Sequence, residues 1–116
     1  MYKINRTENF VKWISELDSY IKESILRDLF ILREIGPTLG RPYVDSIKDS
    51  KYKNLKELRV SVKRKVIRIL FIFDPNREIL LLIGGDKKND KQFYKKMILQ
   101  AEKLYNEYLN NIRESK

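Results

Sequence analysis

Val66-Ile67-Arg68-Ile69-Leu70-Phe71-Ile72-Phe73-Asp74-Pro75-Asn76-Arg77-Glu78-Ile79-Leu80-Leu81-Leu82-Ile83-Gly84-Gly85 decides the fold of this chain. Two apolar runs of strand length flank Asp74-Pro75-Asn76-Arg77, where the proline is pre-set for the second position of a turn. The stretch predicts an antiparallel hairpin with strands near 66–73 and 78–84. Just upstream, Leu58-Arg59-Val60-Ser61-Val62 alternates apolar and polar residues. It adds a third strand near 55–63 and makes the hairpin a meander. Period two puts Leu58, Val60 and Val62 on one face, and Glu57, Arg59, Ser61 and Lys63 on the other. With Ile67, Ile69, Phe71 and Phe73 turned to the core, Arg68 shares the polar face with Arg59.

Nearer the N-terminus, Phe10, Trp13, Ile14 and Leu17 recur at helical spacing behind Thr7, an N-cap residue followed by Glu8 in the first turn. Ile21, Ile25, Leu29 and Leu32 continue the pattern, with Leu26, Phe30 and Ile35 widening the apolar face until Gly36-Pro37 ends it. Two helices are predicted over roughly residues 8 to 35. Tyr2 to Arg6 suits a short edge strand, and Thr38 to Lys53 reads as a loop. Asn89-Asp90 offers a further N-cap. From Phe93 a long amphipathic helix runs through Met97, Ile98, Ala101, Leu104, Tyr105, Tyr108, Leu109 and Ile112. The order is β-α-α-β-β-β-α, an α+β architecture with helices packed on an antiparallel sheet, in one domain spanning residues 1–116.

The chain has 25 Lys+Arg against 16 Asp+Glu, a formal net charge of +9. Such a field favours a polyanionic partner. The absence of Cys and His excludes disulfides, thiolate metal sites, a Cys nucleophile and the usual general base. Proton transfer must then run on Lys, Arg, Tyr, Ser/Thr or carboxylates. The carboxylates are scattered, with no cluster suggesting Mg²⁺. No run approaches the roughly 20 apolar residues that cross a bilayer, and the first residues have no signal-like core. A cytoplasmic protein is expected.

Arg68 is costly inside a buried strand unless an anion meets it. Glu57 or Glu78 could be that anion in a structural ion pair; a phosphate is the functional alternative. Gly84-Gly85-Asp86-Lys87-Lys88 leaves the last strand, its glycines permitting close approach of a neighbour or ligand and its lysines standing at the sheet edge. The spacing is not that of a P-loop. Lys53 and Lys56, interleaved with Tyr52, and Lys63 on the polar strand face are further candidates for RNA contact, though a solvated loop fits them as well. Tyr43, Tyr52 and Tyr94 are the tyrosines placed to stack on a base or donate to a phosphate.

Leu39-Gly40-Arg41-Pro42, Leu58-Arg59-Val60, the run from Arg68 to Pro75, Gly84-Gly85-Asp86-Lys87-Lys88 and the ending at Tyr108-Leu109 together resemble the phage-derived Gp49-like branch of the RelE/ParE toxin superfamily, the HigB-type toxins. The resemblance implies a RelE-like fold and a type II toxin that cleaves mRNA on the ribosome. It also implies a helix-turn-helix antitoxin as partner, and neither metal nor cofactor. Carried onto this chain, the family's basic active-site positions match Arg68 and Lys88, with Arg59 and Lys87 beside them. The His that several relatives use has no counterpart here. Two other readings share the fold and charge: a ParE-like poison of DNA gyrase, and a non-catalytic basic module that docks RNA or an acidic protein.

Overall fold

The computed structural model describes residues 1–114. Its elements are β1 (Ile4–Arg6), α1 (Glu8–Ser15), α2 (Ser19–Ile35), β2 (Val44–Ser46), β3 (Lys56–Val62), β4 (Lys65–Phe73), β5 (Ile79–Asp86) and α3 (Phe93–Glu114). The strands form one sheet in the order β1-β5-β4-β3-β2. The meander β3-β4-β5 is antiparallel throughout, and the α+β order expected from sequence holds. β1 is the expected edge strand and runs parallel to β5. Two elements are added: a short 3-10 helix at Gly36–Thr38, and β2, inside the stretch expected to be loop, which pairs antiparallel with β3 and forms the other edge. The three residues of β2, after a Gly- and Pro-containing turn, are too few to show a period.

Helices cover both faces of the sheet. α1 and α2 pack on Leu58, Val60, Ile67, Ile69, Phe71 and Leu81. α3 packs on Leu70, Ile72, Leu80 and Leu82 from the opposite side. The polar face of β3 is therefore partly roofed by α3. Ile67, Ile69 and Phe71 face the α1/α2 core as read from the pattern. Leu26, Phe30 and Ile35 do not widen that core, because all three are exposed on the outer side of α2.

A register shift decides which way the double glycine faces. Leu70 pairs with Ile83 but Phe71 pairs with Leu81, so Leu82 is an extra residue in β5. Beyond such a bulge the alternation of faces reverses. Leu82 and Ile83 both pack towards α3. Gly84 then turns to α1, where a Cβ would lie 2.2 Å from the Trp13 ring, and Gly85 turns to α3, where a Cβ would lie 3.0 Å from Phe93. Each glycine admits one aromatic ring from one layer. Thr7 holds the bulge: its hydroxyl donates to the Leu82 carbonyl at 2.6 Å and accepts from the Phe10 N–H at 3.0 Å, capping α1 at the same time.

Candidate active site

Antiparallel pairing sets Arg59 of β3 directly opposite Arg68 of β4. Cross-strand partners share a face, and Gly85 opposite Arg68 shows that this face is the one α3 covers. Two guanidiniums side by side repel unless an anion lies between them. Glu57, two residues before Arg59 on the same face, supplies it. Its Oε2 accepts from Arg59 Nη1 at 3.0 Å, and its Oε1 lies 3.7 Å from Arg68 Nε. Glu57 and Arg68 are only 4% and 6% exposed, so the pair is desolvated and its attraction little screened.

α3 contributes the fourth group from its first turn. The Tyr94 hydroxyl donates to Glu57 Oε1 at 2.6 Å. Burial raises the Tyr94 pKa above its ordinary value of 10.0; the bond to Glu57 raises it further, and Arg68 opposes both. The phenol therefore keeps its proton through neutral pH. Arg68 spends its Nη1 on the Ile67 carbonyl at 2.9 Å, while its Nε is sealed from water with no hydrogen-bond acceptor. An incompletely satisfied buried guanidinium is an anion seat in waiting.

The turn after β5 brings the lysines to the same end of the sheet. The Lys87 N–H donates to the Val66 carbonyl at 2.8 Å and the Asp86 carboxylate accepts from the Val66 N–H at 3.1 Å, which pins the turn to the start of β4. Lys87 Nζ lies 5.4 Å from the centre of the Tyr94 ring, within cation–π range. Lys88 is exposed at the same corner, with φ +38°. Arg59, Arg68 and Lys87 thus meet around Glu57 and Tyr94, with Lys88 one residue outside.

The four residues read as RNA contacts are dispersed. Lys56 lies on the α1/α2 face of β3, since it shares the parity of Leu58 and pairs with Phe71. Lys63 sits in the β3–β4 turn with its Nζ 4.3 Å above the Tyr20 ring, again on the α2 side. Tyr52 bonds to Asn106 and packs edge-on against Tyr105, 4.8 Å between centres. Asn106 is twelve residues along α3 from Tyr94, about 18 Å at 1.5 Å per residue. Lys53 is exposed beside Tyr52 at that distant end. Glu57 and Tyr94 carried weaker signals. Glu57 shares Arg59's face by simple alternation, whereas the helical spacing of Tyr94 makes it look like packing.

Among the described residues no three carboxylates gather as metal ligands, and no helix is long and apolar enough to cross a membrane.

Comparison with known proteins places this chain in a family. Residues 12–106 match the family described as "Phage derived protein Gp49-like (DUF891)". Two Mycobacterium tuberculosis proteins are similar in sequence. One, named "Putative toxin HigB2", is 37% identical over 94% of this chain, which spans only 55% of that protein's length. The other, named "Putative toxin HigB3", is 41% identical over 84% of this chain and 85% of its own. Among solved structures, a mutant of the E. coli toxin RelE in the free state superposes with a TM-score of 0.59 at 12% identity, over 79% of this chain and 90% of that one. RelE of the Pyrococcus horikoshii RelE–RelB complex gives 0.56 at 17% identity, over 76% and 97%. The chain belongs to the Gp49-like family, alongside the HigB-named proteins, and has the fold of RelE.

Proposed function

We propose that the chain is the toxin of a type II toxin–antitoxin pair, acting in the cytoplasm as a ribosome-dependent endoribonuclease on mRNA, with a helix-turn-helix antitoxin as its partner. The names of its relatives and the RelE fold support the toxin reading. The observation that carries the nuclease is the convergence of Arg59, Arg68, Glu57 and Tyr94 from β3, β4 and α3 on one desolvated spot.

These groups suit attack of an RNA 2′-hydroxyl on the adjacent phosphorus. Glu57, displaced from the guanidiniums by the incoming phosphate, takes the proton of the 2′-hydroxyl. Arg59 and Arg68 then hold the non-bridging oxygens, whose charge grows as the new P–O bond forms. The P–O5′ bond breaks with its electron pair on the 5′-oxygen, and Tyr94, still protonated, donates to it. The products are a 2′,3′-cyclic phosphate and a free 5′-hydroxyl. Transfer of the proton from Glu57 to Tyr94, hydrogen-bonded at 2.6 Å in the free protein, restores both groups. Lys87 and Lys88 supply charge to the leaving oxygen and the flanking phosphates. No step needs a metal.

One observation favours a second reading. At 6% exposure, with Glu57 beside it, Arg68 has the burial of a structural ion pair joining β3 to β4. Mapping RNA 5′ ends after brief induction separates the two. Arg68→Ala and Arg59→Ala are expected to lose cleavage by about 100-fold or more with native circular dichroism. Unfolding of Arg68→Ala, with full cutting by Arg59→Ala, would make the pair structural. Products ending in a 5′-phosphate would overturn the chemistry.

A further inference from the structure

α2 carries two apolar stripes. Ile21, Ile25, Leu29 and Leu32 are buried on the sheet, whereas Leu26 and Phe30, one turn apart, are 58% and 57% exposed. Beside β1 they line, with Val11 of α1, a groove of about 790 Å³. Among the described residues three cationic side chains enter its lining, Lys3, Arg6 and Arg33, and no carboxylate does. The Arg33 guanidinium lies 5.7 Å from the Phe30 ring centre, and its Nε, closed off from water, forms no hydrogen bond but lies 3.7 Å from the Glu34 carboxylate. One side of the groove is β1, whose strand neighbour among the described residues is β5 alone.

The pairing of β1 shows what that edge offers. Ile79 N–H donates to the Lys3 carbonyl, and Thr7 N–H to the Leu81 carbonyl, so residues 3, 5 and 7 turn their backbone groups to β5. Alternation turns those of Ile4 and Arg6 outward, into the groove. An open edge strand flanked by apolar side chains and an excess of positive charge suits strand addition by an extended segment.

We propose that this groove receives an extended segment of the partner antitoxin, alternating apolar and acidic residues, which pairs with β1 as a sixth strand. Its apolar side chains would rest on Leu26, Phe30 and Val11, and its carboxylates would meet Lys3, Arg6 and Arg33. The inference rests on the toxin–antitoxin reading. It assigns the partner to the α1/α2 side, two strand spacings from β4, about 10 Å across the sheet, and on the face opposite Arg68.

The test uses the full chain co-expressed with the small protein encoded beside it. Two variants carry the weight: Leu26→Asp with Phe30→Asp, and Lys3→Glu with Arg6→Glu. All four side chains are outside the nuclease cluster. Each double variant is expected to bind that protein about 100-fold more weakly, while still arresting growth when expressed alone. In the wild-type complex the Ile4 and Arg6 amides are expected to gain protection from hydrogen exchange. Failure of the wild-type chain to bind at all would refute the toxin–antitoxin reading itself. Tight wild-type binding, unchanged in both variants and with the two amides still exchanging freely, would overturn the groove alone. So would a dimer of the isolated chain that the same substitutions dissolve, since a second copy would then be the occupant.

Discussion

Glu57 holds the candidate site in a closed, charge-paired arrangement, and its removal should separate binding from cutting. Glu57→Gln keeps the shape but withdraws both the proton acceptor and the anion that competes with phosphate. Cleavage is expected to fall about 100-fold. Affinity for an RNA carrying a single 2′-deoxy residue at the cut position is expected to rise in a fluorescence binding assay. Weaker binding together with slower cutting would mean that Glu57 serves to hold the arginines rather than to take the proton. Asp28 of α2 is a second buried carboxylate. Burial raises its pKa above the ordinary 3.8, against the lowering effect of Arg27, 3.9 Å away. A raised pKa favours the protonated form in the fold. The stabilisation it represents is complete below pH 3.8 and lost as pH climbs through the raised value, leaving a buried charge at neutrality. Asp28→Asn should therefore raise the thermal midpoint at pH 7 and leave it unchanged near pH 3, as scanning calorimetry can check.

At the scale of elements, α3 roofs one face of the sheet with tyrosines as much as with aliphatic side chains. Tyr105 is buried among the α3-side core residues, and the Tyr108 hydroxyl donates to Asp74 at 2.7 Å. Burial is the leading cause that raises the pKa of Tyr94, Tyr105 and Tyr108, with Glu57 acting on the first and Asp74 on the other two. All three raised values stabilise docking of α3 while the phenols are neutral. Their contribution is whole below pH 10 and disappears as pH rises through the folded values. Urea unfolding midpoints should thus drop steeply above pH 10, and Tyr108→Phe should flatten that drop while lowering stability at pH 8 by about 1 kcal/mol through loss of the hydrogen bond. An unchanged slope in Tyr108→Phe would show that its ionisation is not what releases the helix. The double glycine belongs to the same scale, since Gly84 and Gly85 set how closely α1 and α3 approach β5.

Across the whole molecule the net charge of +9 should govern how the protein meets RNA. Non-specific affinity for single-stranded RNA is expected to fall with log salt at a slope near −0.7 per phosphate contacted. Arg59→Ala should reduce that slope by about one contact, whereas Lys63→Ala, on the α2 side, should leave it unchanged; filter binding across a salt series distinguishes them. Much of this protein was legible in its residues alone. The hairpin followed from two apolar runs about Asp74-Pro75-Asn76-Arg77, and the shared face of Arg59 and Arg68 from period two, because local spacing dictates side-chain direction along a strand. Three features were not legible. β2 is too short to carry a period, and Leu26 and Phe30 have the same helical spacing whether they meet a core or solvent. The bulge at Leu82 reverses the faces of Gly84 and Gly85, and only pairing with β4 reveals it. The residues by themselves determined the order of elements and which strand faces carry charge, since both depend on neighbours in sequence. Tertiary packing decided that Glu57 and Tyr94 join the arginines and that Lys56 and Lys63 turn away, because strand register and the layering of helices on the sheet are set by residues far apart in the chain.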